Sequence, residues 1–192
     1  IDHTLEGNGT FKVPSNLLPL LGGAFVNTPG KADLNTPWFV NLGWWHTFND
    51  RFSLGVNASY THWSSFKTLQ IVYENPKQPA STQDFSYKNT WFTSIGGDYK
   101  LDNQWTLRGG LAYDETPTSD AHRDPKVPDN SRTWLSIGAG YQYSNNLRFD
   151  ASFLHLIVDD AKINDTSVFK STLTGAFKVS GDVLTIGAQY TF

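Results

Sequence analysis

The amino-acid sequence predicts an all-β protein, a membrane-spanning antiparallel up-and-down β-barrel with about eight strands in this chain. Three observations predict it. Apolar and polar side chains alternate along one segment after another, the two-residue period of strands whose faces meet different surroundings. The connections between these segments are alternately very short and long. Aromatic residues reach 15% with seven Trp, whereas charged residues are 17% against an ordinary ~25%. The longest apolar run, 17 to 26, is broken by Pro19 and two glycines, so the sequence has no stretch of about 18 apolar residues to form a transmembrane helix. A spanning strand needs about 9 to 11 residues and shows lipid only every second side chain, which agrees with the mean hydropathy of −0.40. Backbone groups in hydrocarbon must all be paired, so the sheet has to close on itself or on another chain.

The strands are expected at 1 to 7, 37 to 48, 51 to 63, 87 to 100, 104 to 113, 132 to 143, 147 to 158 and 181 to 192. The first follows from the alternation of Ile1-Asp-His-Thr-Leu5, with which the chain opens without a leader, as a processed or partial chain would. The next two join at Asn49-Asp50 in HTFNDRF, the following pair at Asp102-Asn103 in YKLDNQW, and the pair after that at Ser144-Asn145-Asn146 in YQYSNNLRF. All are residues that tolerate left-handed turn geometry. The long connections are 8 to 36, 64 to 86, 114 to 131 and 159 to 180. Short turns on one side and long loops on the other predict periplasmic turns and extracellular loops in the outer membrane of a Gram-negative bacterium. In the last strand Leu184, Ile186, Ala188, Tyr190 and Phe192 share the face expected toward lipid, and small or polar residues share the other. Phe48, Phe52, Tyr99, Trp105, Tyr141, Tyr143 and Phe149 cluster where strands meet short turns, as an interfacial girdle does.

Residues 1–192 read as one transmembrane domain, because no linker-like segment divides them. Zero Cys is compatible with a compartment beyond the cytoplasm, and a net charge of −3 argues against a nucleic-acid partner.

The segments YKLDNQWTLRGGLAYDETP, HRDPKVPDNSRTWLSIGAGY and HLIVDDAKIN resemble the closing half of the FadL/TodX-type outer-membrane transporters of long-chain fatty acids and hydrocarbons, and SLGVNASYTHWSSFKTLQI resembles a strand and loop entrance of the same family. The resemblance implies a barrel of about 14 strands, an even count of the kind such barrels use. This chain would be its C-terminal portion, without the N-terminal hatch and first strands. A second chain completing the barrel is the alternative to a shortened protein. The terminal aromatics Tyr190 and Phe192 resemble the signal read by the barrel assembly machinery.

Candidate ligand-binding residues fall into two groups. Leu17, Leu18, Leu20, Leu21, Phe25 and Val26 form an apolar cluster in an otherwise solvated loop, and exposed apolar patches mark binding. In the family the corresponding loop captures substrate from the lipopolysaccharide layer. Phe39, Trp45, Trp63, Phe92, Leu154 and Leu156 are bulky apolar residues at positions expected to face inward, suited to acyl or aryl chains. The inward charges Asp98, Arg108, Arg132, Arg148 and Asp150 are expected to pair across strands rather than to hold a carboxylate.

An enzyme is not expected. His3, His46, His62, His122 and His155 are dispersed, no Gly-x-Ser-x-Gly occurs, and His155 and Ser152 face opposite sides of a strand. Asp159-Asp160 and Asn164-Asp165 lack the glycine and terminal Glu of a calcium loop, so neither metal nor cofactor is expected. The expected function is passive transport of hydrophobic compounds, foremost long-chain fatty acids, with membrane lipid and lipopolysaccharide as surroundings. The alternative is a structural or receptor barrel through which nothing passes.

Overall fold

The computed structural model describes residues 2–166 and 171–192. Ile1, expected to open the first strand, and residues 167–170 of the last long connection lie outside the described residues. Among these the chain forms thirteen strands: β1 (Asp2–Gly9), β2 (Thr28–Asn35), β3 (Phe39–Thr47), β4 (Phe52–Thr61), β5 (Thr68–Tyr73), β6 (Ser81–Asp84), β7 (Thr90–Lys100), β8 (Trp105–Asp114), β9 (Arg132–Gln142), β10 (Leu147–Val158), β11 (Ala161–Thr166), β12 (Thr172–Phe177) and β13 (Ser180–Tyr190). No helix of the described residues is long and apolar enough to cross a membrane.

The chain divides into two units, one of residues 1–38 and 62–88, the other of residues 39–61 and 89–192. The second unit holds a seven-stranded antiparallel sheet in the order β13-β10-β9-β8-β7-β4-β3, together with the β11–β12 hairpin. These seven strands are the expected ones from 37 onward, in the expected sequence of neighbours. Their turns work as the residues predicted: Asn49 Oδ1 accepts from the backbone N–H of Arg51 and Phe52, and Asp102 Oδ1 accepts from Gln104 and Trp105. Those two amides hold the exposed Asp102 carboxyl below its ordinary value. A carboxyl lowered by folding stabilises the turn above its unfolded value of about 3.9 and ceases to do so as pH falls through the lowered one. Asp102→Ala is therefore expected to lower the unfolding midpoint at pH 7 and to converge with the parent in strong acid, as read by thermal melts across pH; a constant difference at all pH values would contradict it.

The first unit is a sheet in the order β1-β2-β5-β6. Here the structure corrects the expected strand 1 to 7. The strand forms, but its partner is β2, with Asp2 opposite Asn35 and Gly9 opposite Thr28, rather than a strand of the seven-stranded sheet. Alternation specifies a strand and its faces but not its neighbour. The connections expected at 8 to 36, 64 to 86 and 159 to 180 also contain strands: β2, β5 with β6, and β11 with β12. The sequences TPGKADLN and STQD carry Pro, Gly and Asp or lack apolar alternation, so backbone pairing rather than side-chain pattern defines β2 and β6.

The apolar residues are distributed as lipid contact requires. Buried apolar residues among those described are small or few: Ala24, Ala32, Ala161 and Ile163. Large ones stand exposed on the outer face of the seven-stranded sheet, among them Leu42, Ile137, Leu184 and Ile186, the last 76% exposed. At the tight-turn end aromatic pairs follow the expected girdle, with Phe48 stacked on Phe52 at 5.5 Å and Trp105 against Tyr141 at 4.7 Å.

Candidate functional site

The face opposite the lipid-adapted one is set by register. Trp45 lies opposite Gly55, Gly55 opposite Gly96, Gly96 opposite Gly110, Gly110 opposite Ser136 and Ser136 opposite Leu154. One row of inward positions thus runs from a large ring across three glycines to a Leu. Trp45 from β3 and Thr185 from β13 border one cleft of about 800 Å³, so this face of the second unit is concave. The glycines create the room: a Cβ at Gly55 would clash with the edge of the Trp45 ring, and one at Gly110 would lie 2.8 Å from Ser136 Oγ.

Of the expected inward apolar residues, Trp45, Phe92 and Leu154 line this cleft, together with Trp134. Leu156 shares their face, opposite Trp134 and Gly181, and Phe39 shares it at the start of β3. Trp63 does not. β4 ends at Thr61, and Trp63 opens a short 3₁₀ turn, Trp63–Ser65, in the first unit. There its ring meets Tyr87 edge-on at 5.7 Å, within a cluster that includes Phe66 and Phe85. Alternation places it inward only if the strand continues two residues past Thr61, where β4 ends.

The inward charges pair, as expected for most of them. Arg108 and Arg148 both donate to Asp150 Oδ1, at 2.7 and 2.9 Å, above Gly140, where a Cβ would lie 2.7 Å from each partner of the second pair. Arg132 bridges Asp114 at 3.1 Å and Asp129 at 3.0 Å. Asp98 lies opposite Arg108 in register. Partly exposed pairs of this kind contribute about 0–1 kcal/mol each; their larger effect is to hold long side chains against the wall. His155 points outward and meets Asp182 at 2.7 Å, whereas Ser152 lines the inner cleft.

The apolar loop lies in the first unit. Leu18–Leu21 form a 3₁₀ turn closed by Gly22 and Gly23 at positive φ. Phe25 follows at φ 57, its N–H held at 2.6 Å by Oε1 of the buried Gln78, while Asn75 Nδ2 donates to Gly23 O. This anchoring presents Leu17, Leu18, Leu20, Phe25 and Val26 outward, Leu20 at 80% exposure, with Leu21 half-buried. Phe25 meets Phe11 edge-on. A groove of about 310 Å³ in the same unit, bordered by Leu5, Gly7, Gly9, Gly30, Ile71 and Tyr73, was invisible in the sequence because it depends on the pairing of β2 with β5.

The connection 115 to 131 has no strand, yet side-chain hydrogen bonds tie it down. Arg123, 2% exposed, donates through Nε to Asp129 O and through Nη1 to Asp120 Oδ1 and Lys162 O. Asn130 Nδ2 donates to Asp160 O, and Thr116 Oγ1 to Asp129 Oδ2. The polar run HRDPKVPD carries no signal that its Arg is buried.

Among known proteins, the family model described as outer membrane protein transport protein (OMPP1/FadL/TodX) matches residues 1–192. The 47 kDa outer membrane protein of Pasteurella multocida is 32% identical over 153 residues, covering 74% of this chain and 35% of that protein. The long-chain fatty acid transport protein of Escherichia coli K12 is 26% identical over 144 residues, 75% of this chain and 32% of that protein. The crystal structure of a Pseudomonas aeruginosa FadL homologue superposes with a TM-score of 0.86 at 32% identity, over 98% of this chain and 46% of that one. This chain spans less than half the length of these relatives. With the family match over the whole chain, the all-β antiparallel architecture and the lipid-adapted outer face, the chain belongs to the OMPP1/FadL/TodX family of outer-membrane β-barrel transport proteins.

Proposed function

We propose that the protein passes hydrophobic compounds, foremost long-chain fatty acids, across the outer membrane without an energy source. Leu17, Leu18, Leu20, Leu21, Phe25 and Val26 capture them from the lipopolysaccharide layer, and Phe39, Trp45, Phe92, Leu154 and Leu156 line their way along the inner face. The observation that carries this reading is the apolar lining of that face: a cleft of about 800 Å³ bordered by Trp45, Phe92, Trp134 and Leu154. The outward presentation of the loop leucines supports the capture step. No step of this function calls for catalysis or a cofactor. Tyr190 and Phe192, ring centroids 5.1 Å apart, supply the terminal aromatic pattern for the assembly machinery. β3 and β13 each have one hydrogen-bonded neighbour among the described residues, so further strands, from the same polypeptide or a second chain, complete the barrel.

Replacing Leu17, Leu18 and Leu21 together by Asp is expected to weaken binding of a labelled fatty acid roughly tenfold or more, since each buried Leu is worth about 1.5–3 kcal/mol. Unchanged affinity in a variant that still folds would sink the capture role.

A further inference from the structure

The tryptophans of the chain fall into two groups by their surroundings. Trp38, Trp44, Trp63, Trp91 and Trp105 each meet another ring. Trp45 and Trp134 meet none among the described residues, and both border the large cleft of the inner face. Trp134 is half-buried on the central strand β9, whereas Trp45 is 56% exposed on β3. Among the described residues no side-chain hydrogen bond or ring contact holds the Trp45 indole; it rests over Gly55, so close that a Cβ there would clash with its edge. Beyond Gly55 the same row continues through Gly96 to Gly110, so about 10 Å of floor carries no side chain, at ~4.8 Å per strand. A second cleft, of about 380 Å³, is bordered by Gly43, Trp45, Gly55 and Asn57. Trp45, Ser94 and Gly96 border both clefts, so the indole stands between the two. The polar side chains around it are tied: Asn57 Nδ2 donates to Asn41 Oδ1 at 2.8 Å, and Ser136 Oγ to Gly110 O at 3.3 Å. The ring is the wall that can give.

We propose that Trp45 is a specificity-determining residue that divides the inner face and limits the breadth of the compound it holds. A single extended alkyl chain fits the larger cleft beside the ring and gains contact with the indole. A compound broader than one chain, such as a fused-ring or cage hydrocarbon skeleton, needs the space of both clefts and has to displace the ring. Displacement costs affinity as overpacking does, because the indole leaves its place over the glycine and crowds its neighbours. A small side chain at position 45 joins the two clefts and removes that cost, while an extended chain loses the apolar contact that the ring supplied. The two ligand shapes are thus expected to respond to one substitution with opposite sign. The assignment rests on the reading that the inner face binds hydrophobic compounds.

The test measures how well palmitate, a straight chain, and adamantane-1-carboxylate, a cage on the same headgroup, displace a labelled fatty acid from the purified protein in lipid nanodiscs. The parent is expected to prefer palmitate. Trp45→Ala is expected to bind the cage compound about tenfold more tightly than the parent does and palmitate about threefold more weakly, with Trp45→Phe in between. Weakening of both ligands, or a change in neither, overturns the sorting role while leaving the binding of hydrophobic compounds intact. So does a parent that holds the cage compound as tightly as palmitate. A parent protein that binds neither ligand overturns the transport reading and the sorting role with it. Heat-modifiable migration of each variant separates misfolding from altered binding, and if Trp45→Ala misfolds, the same opposite shifts are required of Trp45→Phe.

Discussion

Arg123→Leu is expected to release the connection 115 to 131 and the β11–β12 hairpin while the seven-stranded sheet stays folded. The guanidinium is almost fully buried and joins three acceptors from separate places: Asp129 O and Asp120 Oδ1 of its own connection, and Lys162 O on β11. Leucine fills comparable space but leaves two backbone carbonyls unsatisfied, and removing one partner of a buried charged network costs about 3–5 kcal/mol. Asp129 would also lose the geometry by which it receives Thr116 and Arg132, so the loss should spread along the connection. Lysine is expected not to rescue it, because one ammonium cannot reach acceptors that a planar fork spans. Limited proteolysis of the folded protein reads the effect directly: cleavage within 115 to 131 should become fast, with heat-modifiable migration unchanged. Parent-like protection in Arg123→Leu would show that packing of Ala161 and Ile163 holds the segment without the guanidinium.

Gly55→Leu is expected to act on the inner face instead. A Cβ at position 55 would clash with the edge of the Trp45 ring, so a side chain there must displace the indole from its place over the glycine. Overpacking of this kind costs about 1–3 kcal/mol. The displaced ring would narrow the space between β3 and β10, and uptake of labelled fatty acid into proteoliposomes should fall severalfold, by roughly the factor of ten that 1.4 kcal/mol represents if the displacement is complete. Gly43→Ala is the contrasting control, because its Cβ would make an ordinary 3.4 Å contact with Asn57 Nδ2. Adding Trp45→Ala to Gly55→Leu should restore uptake by removing the displaced ring; a double variant as impaired as the single one would place the obstruction elsewhere.

Both predictions depend on features that differ in how far they could be read from the sequence. The strands from 37 onward, their order and their two faces were legible because alternation has a period of two and the tight turns at Asn49, Asp102 and Ser144 leave no freedom in register. Trp45, Phe92 and Leu154 follow from that alternation alone, and all three line the cleft. Trp63 was misplaced because alternation does not say where a strand stops. The partner of β1 was missed because β2 is held by backbone hydrogen bonds whose side chains, Pro29, Gly30, Lys31 and Asp33 among them, show no pattern.

By itself, then, the sequence determined the class of the protein, the lipid-facing and inner sets of each long strand, and the outward apolar loop, because each is a local periodicity imposed by the environment on successive residues. Only the tertiary structure decided which glycine lies under Trp45, that Arg108 and Arg148 share one oxygen of Asp150, and that Arg123 is buried. These depend on which residues distant in the chain stand opposite one another, and the free energy of a charge or a ring is set by the neighbours it meets there rather than by the residues beside it in sequence.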